Sequence, residues 1–271
     1  MYPRLAVLAL LSATNALAPP NVHHVPDFES ARRELASSSS LVNAIVVEKS
    51  AAAVPAEAWD SVDLPVELEL SLPDPTGDAA GTCARLRAAL SSSVRGLAPD
   101  HERALSACVA ELSAEFARCC GGAGAAARGG GAVRAKLNVV ANDARDAQRC
   151  PKYHTDGVPM RLIATLAGRG TQVIPDAAVD REAVSGVGTT LRDPGATPYD
   201  ARAGDAVLLV GAKSARGARH AAVHRSPPPP AARVGRRVVL VLDEAEEDEE
   251  QGEPQTAQQK FATQIMRMIV K

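Results

Sequence analysis

From Val133 onward the sequence stops repeating every three or four residues and breaks into short extended runs punctuated by Gly, Pro and charged residues. The runs are 133–140, 150–156, 160–166, 171–174, 206–210, 220–225 and 236–242. Many short strands with frequent turn signals imply an all-β barrel or sandwich over this part of the chain. Upstream the period is helical. Cys83, Leu86, Leu90 and Val94 recur over 82–97, Ala98-Pro99-Asp100 interrupts, and Leu105, Cys108, Val109, Leu112 and Phe116 then share a second stripe with Asp100 as its expected N-cap. These stripes predict a helical hairpin packed on the strands, with Cys83 and Cys108 as core thiols. The fold class expected is mainly β (α+β).

Composition sets the boundaries. Residues 1–18 carry one early Arg, an apolar run from Leu5 to Leu11 and an Ala16-Leu17-Ala18 site, the layout of a targeting peptide. A secretory destination is favoured, with a plastid or mitochondrion as the competing reading because no acid precedes Asp27. The run is too short to cross a bilayer, and no transmembrane segment is expected elsewhere. Residues 19–59 read as a poorly structured leader and 60–120 as the helical N-terminal part of the domain. Residues 121–132 form a Gly/Ala linker, not a phosphate loop, since no Gly-Lys-Ser/Thr follows. The strand-rich core is 133–243, an acidic disordered linker occupies 244–256, and 257–271 is a short C-terminal helix or tail.

Several classes of function are disfavoured. A net charge of −2 without a basic patch, and 3% aromatic residues, argue against nucleic acid as a partner. Five cysteines without a Cys-x-x-Cys pair argue against a zinc ribbon or a disulfide scaffold.

The chemistry-bearing stretch is Cys150-Pro151-Lys152-Tyr153-His154-Thr155-Asp156. On extended backbone, residues two apart point to one face with Cα atoms roughly 6.5 Å apart, so His154 and Asp156 can converge on one ion. On a helix they would splay by about 200°. Cys150-Pro151 before the pair and Gly157-Val158-Pro159 after it favour the extended form. Two histidines and one carboxylate make a facial set that suits non-haem Fe(II) and leaves open positions. The second histidine is His220 or His224, which share a face if their strand runs unbroken. Cys150 reads as a buried thiol near the mouth of the site, too far along an extended strand from His154 to share its metal.

Four pieces follow in a fixed order: His154/Asp156, Gly204/Asp205 opening a later strand, His224, and Arg236/Arg237 opening the next. This order resembles that of the Fe(II)/2-oxoglutarate-dependent dioxygenase superfamily. The segments Cys-x-x-Tyr-His-x-Asp at 150–156, Arg161-Leu162 with Gly168-x-Gly170-Thr171, His224-Arg225-Ser226-Pro227-Pro228 and Arg236 to Asp243 look closer still to the domain of unknown function 1826. The resemblance implies a double-stranded β-helix (a jelly-roll or cupin-like barrel) carrying the helical hairpin. It implies that His154, Asp156 and His224 bind Fe(II), with 2-oxoglutarate as a small-molecule cosubstrate and hydroxylation or demethylation as the activity. A basic residue at the start of the last strand would hold the distal carboxylate of the keto acid. Arg237 is preferred over Arg236, and Arg161 is a second candidate. Arg225 is expected to face away or to pair with a carboxylate. The long polar loop 176–202 would be a lid. In place of an apolar strand with an aromatic residue, 211–219 is rich in Lys, Arg and Gly, which loosens the register before the histidine. The residues also suit a metal-binding cupin-like barrel without 2-oxoglutarate, or a non-enzymatic binding module.

Overall fold

The computed structural model describes residues 21–37, 41–51, 54–121, 131–141, 150–183, 189–228 and 235–244. The expected targeting peptide, most of the Gly/Ala linker, the acidic run beyond Glu244 and the C-terminal helix lie outside them. In chain order the elements are β1 (Val22–Val25), α1 (Phe28–Ala36), β2 (Ala44–Val47), β3 (Val66–Leu72), α2 (Ala79–Ser93) and α3 (Pro99–Cys120). They continue with β4 (Val133–Ala141), β5 (Met160–Ala167), β6 (Gln172–Val173), β7 (Tyr199–Asp200), β8 (Ala206–Val210), β9 (His224–Arg225) and β10 (Arg236–Glu244).

The fold is mixed α+β. Seven strands form one sheet in the order β1-β2-β8-β5-β10-β4-β3, antiparallel except for β1 beside β2. Three short strands form a second sheet, β7-β6-β9. The strands thus make two sheets and not one closed ring: β1 and β3 end the larger sheet without meeting.

Strand alternation assigns the two faces of the large sheet. Leu137 and Val139 of β4, Leu162 and Ala164 of β5, Leu208 of β8, and Val238, Leu240 and Leu242 of β10 are buried against a helical layer that contributes Leu86, Leu90, Leu105, Leu112 and Phe116. The opposite parity, Ile163, Val207, Leu209 and Val239, packs on Val173, Ala201 and Ala222 of the smaller sheet and its flanks. The other side of the smaller sheet is sealed by Tyr153, Ile174, Ala178, Val179 and Val223.

Two expectations change. Within the expected leader, residues 22–36 and 44–47 are structured: β1 and β2 extend the large sheet, and β2 pairs along its length with β8. Their signal is faint in sequence because β1 turns His23 and His24 outward and α1 buries only Phe28 and Ala31. The second helix is not capped by Asp100. Ala98 holds the cap position, Pro99 the first turn, and Asp100 sits one residue inside, where a negative charge favours the helix dipole. Asp78 does cap α2, accepting from the Gly81 amide at 2.8 Å.

Leu240 is 1% exposed at the centre of the large sheet, whereas Leu41 is 77% exposed. Leu240→Ala is expected to lower the unfolding free energy by about 3 kcal/mol, and Leu41→Ala by less than about 0.5 kcal/mol, both read by urea denaturation.

Candidate metal centre

The site is assembled by two backbone hydrogen bonds. The His154 amide donates to the His224 carbonyl and the His224 amide to the His154 carbonyl, each at 3.0 Å, so the two residues face each other across an antiparallel bridge. β9 is itself paired with β6, which fixes that bridge to the smaller sheet. Tyr153 and Val223 point to the outer apolar cluster, and alternation turns His154, Asp156 and His224 the other way, between the sheets.

The Lys/Arg/Gly-rich segment after β8 holds the loop that follows Asp156. The Ala212 amide donates to the Asp156 carbonyl at 2.8 Å, Lys213 to Val158 at 3.2 Å, and the Gly211 amide to Pro159 at 2.9 Å. A Cβ at Gly211 would meet the Val158 carbonyl oxygen, so only glycine permits this approach. The departure from an apolar strand therefore serves the site: the segment holds the Asp156 loop through its backbone amides.

One ligand atom each from His154, Asp156 and His224 lies within 4.8 Å of the others. His154 Nδ1 is 3.0 Å from the Lys152 carbonyl and His224 Nδ1 is 3.4 Å from the Ala222 carbonyl. A carbonyl only accepts, so these contacts assign the ring hydrogen to Nδ1 and leave the Nε2 lone pairs facing the carboxylate. His224 Nε2 is 3.2 Å from Asp156 Oδ2, and His154 Nε2 is 3.6 Å from Oδ1. Asp156 Oδ2 is buried and has no hydrogen-bond partner among the described residues. Facing lone pairs repel unless a proton or a cation lies between them. Burial pushes the His224 pKa down to about 4, so near neutrality its imidazole is uncharged. A cation is then the fitting occupant, and the residues present suit one.

The carboxylate is held from behind. Arg161 Nη1 donates to Asp156 Oδ1, while Arg161 Nε and Nη2 engage both oxygens of Asp243 at 2.6 and 2.8 Å. Arg161 and Asp243 are direct cross-strand partners of β5 and β10, so the register sets this pair. Burial works against the Arg161 charge, but its hydrogen bonds to Asp243 and the charges of Asp156 and Asp243 outweigh it and raise its pKa. Arg134 adds a longer contact to Asp243 at 3.4 Å.

A cavity of about 440 Å³ opens beside these groups, lined by His154, His224, Arg161, Arg225, Arg237 and Asp243, by Ile163, Val239 and Val241, and by the polar face of β3 and β4. Of the two arginines that open β10, Arg237 enters the cavity and is 8% exposed. Its Nε donates to the Arg169 carbonyl at 3.0 Å, and no carboxylate pairs with it among the described residues. Burial lowers its pKa to about 10, which leaves it cationic near neutrality. Arg236 faces the other way and donates to the Asp60 carbonyl at 3.1 Å. Arg161, the second expected anchor, is committed to Asp156 and Asp243.

Other expectations are revised. His220 is exposed in a turn at Ala218–His220 and does not join the group. Cys150 is exposed at the cavity, not a buried thiol. Arg225 turns away from the converging ligands, as expected: its guanidinium lies 4.3 Å over the Tyr153 ring of the outer cluster and its Nε donates to Gln172 Oε1 at 2.8 Å. The described part of 176–202 is no lid. It packs behind the His154 strand through Ala178, Val179 and Leu191, and the Thr189 amide donates to the Tyr153 carbonyl. Gly204 and Asp205 form a turn: the Asp205 carboxylate accepts from the Lys49 and Arg202 amides at 3.1 Å each.

A family model described as "Protein of unknown function (DUF1826)" matches residues 38–243. The chain belongs to this family. The match runs from β2 into β10, so the strands other than β1, the helices α2 and α3 and all three converging side chains fall within the DUF1826 region. No curated protein matches. Among solved structures, the rice dioxygenase for auxin oxidation is similar at 16% identity and a TM-score of 0.48, over 93% of this chain and 95% of that one. The Arabidopsis thaliana dioxygenase for auxin oxidation 1, as a 2-oxoglutarate complex, is similar at 11% identity and a TM-score of 0.45, over 90% and 99%. A full-length Neurospora crassa protein in complex with alpha-KG is similar at 15% identity and a TM-score of 0.37, over 89% and 90%. These likenesses are too remote to transfer an activity, and the chemistry of the site rests on its own residues.

Asp243 was legible in sequence only as the end of a strand. Parity finds its role, since Arg237, Val239, Val241 and Asp243 share one face of β10 once Val238, Leu240 and Leu242 are given to the helices. Removing the cation between two buried carboxylates is costly. Arg161→Met is expected to lower stability by about 3 kcal/mol. Arg219→Met, which breaks only the exposed pair with Glu182, is expected to cost less than about 1 kcal/mol in the same denaturation experiment.

Proposed function

We propose that this protein is an Fe(II)/2-oxoglutarate-dependent oxygenase. His154, Asp156 and His224 are its metal ligands, and the two facing sheets are the halves of a double-stranded β-helix. The observation that carries this reading is the buried, unpartnered Asp156 Oδ2 set 3.2 Å from the lone pair of a neutral His224. Bound Fe(II) would supply the oxygen chemistry that no side chain offers.

The protein's own residues have distinct tasks. The Nδ1 contacts of His154 and His224 hold both rings with Nε2 turned inward. Arg161 occupies Asp156 Oδ1 and so leaves Oδ2 as the free donor. Arg237 receives the distal carboxylate of 2-oxoglutarate, because a guanidinium fork in a buried wall matches a carboxylate and has no competing partner among the described residues. Ile163, Val239 and Val241 keep that part of the cavity apolar and limit water.

The test is an anaerobic titration of the full chain with Fe(II) and 2-oxoglutarate, followed by the visible metal-to-ligand charge-transfer band. The whole chain is required, since trimming at residue 60 would remove β1 and β2. His154→Ala is expected to abolish the band. Arg237→Gln should raise the keto-acid dissociation constant by about ten- to a hundredfold, the loss of roughly 1.4 to 3 kcal/mol of charge-assisted hydrogen bonding. Arg236→Gln should change it less than about twofold. Metal binding without any 2-oxoglutarate response would favour a cupin-like barrel of other chemistry, and absence of metal binding would remove the proposal.

A further inference from the structure

The small sheet covers only part of the large one. Val207 and Leu209 of β8 and Ile163 of β5 pack beneath Val173, Ala201 and Ala222. On the same face the register carries two rows outward across β5, β10, β4 and β3: Arg161–Asp243–Arg134–Ser71 and Ile163–Val241–Lys136–Glu69. The β4 and β3 ends of these rows are polar and partly or fully exposed. Arg134, Lys136 and Glu69 form the far floor of the cavity that also takes in His154 and His224. Because the β8 side is closed by apolar core, the open approach to the centre among the described residues runs over β4 and β3.

Two cations on this floor are loosely paired. Arg134 Nε and Lys136 Nζ share the single carboxylate of Glu69, at 3.9 and 3.7 Å, too long for hydrogen bonds. Arg134 Nη2 is also 3.4 Å from Asp243 Oδ2, but Arg161 already engages both Asp243 oxygens at 2.6 and 2.8 Å. Long, half-exposed pairs of this kind contribute little and are readily exchanged for a better acceptor. Arg134 and Lys136 stand two apart on one strand, with Cα atoms roughly 6.5 Å apart, so one compact anion can accept from both. The contacts Arg134–Asp243–Arg161–Asp156 join this pair to the converging ligands.

The charge of the cavity points the same way. Leaving aside Arg225, the cations that line it are Arg134, Lys136, Arg161 and Arg237, against the carboxylates of Glu69, Asp243 and the converging Asp156. Glu67, the next acid along β3, lies outside the lining. The charges of a divalent metal and a keto-acid dianion cancel, so the loaded site keeps the same positive surplus. Such a surplus in a partly enclosed site attracts an anion. A volume of about 440 Å³ lies in the range of small-molecule sites.

We propose that the substrate of this site carries a compact anion, a carboxylate or a phosphate, that displaces Glu69 from Arg134 and Lys136 and sets the rest of the molecule over Val241, toward the His154–Asp156–His224 centre. This rests on the oxygenase reading for the word substrate, but the anion subsite itself stands on the register and the ion pairs of β3, β4 and β10.

The experiment measures hexanoate, benzoate, phenylacetate and phenyl phosphate against hexanamide, benzamide, phenylacetamide and phenol by calorimetry. It is run on the metal-free full chain and again on the chain loaded with Mn(II) and saturated with N-oxalylglycine. At least one anion is expected to bind about tenfold or more tightly than its neutral match, and to do so with N-oxalylglycine in place. Whether that anion is a carboxylate or the phosphate assigns the group. Lys136→Glu, which touches only the Glu69 pair, should abolish the preference. Glu69→Gln removes the competing carboxylate and should tighten the anion about threefold or more, a gain that a merely structural role for Glu69 would not produce. Arg219→Gln, at an exposed cation elsewhere, should leave the preference unchanged. The proposal is overturned if no anion of the panel is preferred, if the preference survives Lys136→Glu, if Glu69→Gln fails to tighten binding, if Arg219→Gln weakens it as much as Lys136→Glu, or if N-oxalylglycine displaces the anion completely. Failure of the oxygenase reading shows separately, as absence of metal binding, and leaves the metal-free comparison to decide the subsite.

Discussion

Everything chemical in this molecule depends on one pair of backbone hydrogen bonds, those that set His154 opposite His224. Directly opposed residues of an antiparallel pair have Cα atoms roughly 5 Å apart and project to the same side. Two imidazoles are thereby brought together without any contact between their side chains having to form first, and Asp156 follows from the same alternation two residues on. The apolar cluster of Tyr153, Ile174 and Val223 secures the bridge from outside. The contribution of hydrophobic burial is positional: it fixes which parity of a short strand faces the cavity.

The large sheet supplies the charges that the bridge cannot. β5 and β10 bring Arg161 and Asp243 together in register, and Arg161 reaches Asp156 from there. The Asp156 carboxylate therefore ties two sheets together, with its backbone near the smaller and its guanidinium partner on the larger. Such a cross-tie is stabilising only while every member is paired, since an orphaned buried charge costs far more than the tie contributes.

Much of this was readable from the residues. The change of period at Val133, the helical hairpin and the pairing of His154 with Asp156 follow from spacing alone, because local alternation and the 3.6-residue repeat are properties of a single segment. The sequence did not decide between Arg236 and Arg237, because 238–242 is apolar on both parities; the helices claim Val238, Leu240 and Leu242, and that turns Arg237 to the cavity. What sequence could not give is long-range. That β1 and β2 join β8, that the Gly211 segment clamps the Asp156 loop, and that 176–202 packs behind the site depend on pairings between distant segments with faint local patterns. His220 and His224 differ in fate for a similar reason. Gly217 adopts a φ of 76° and a 3-10 turn ends the run before His224, so the unbroken strand that would have put both on one face does not form.

β10 bears the cavity-facing Arg237 near its start and the tie residue Asp243 near its end, six positions apart on one face. Because six is even, one strand serves as a ruler between the two halves of the centre. Inserting or deleting a single residue between them would turn one of the two charges into the apolar layer beneath the helices. The interval tolerates changes of side chain at Val239 and Val241 far better than any change of length, so the gauge of the cavity is set by counting residues and not by the identity of those in between.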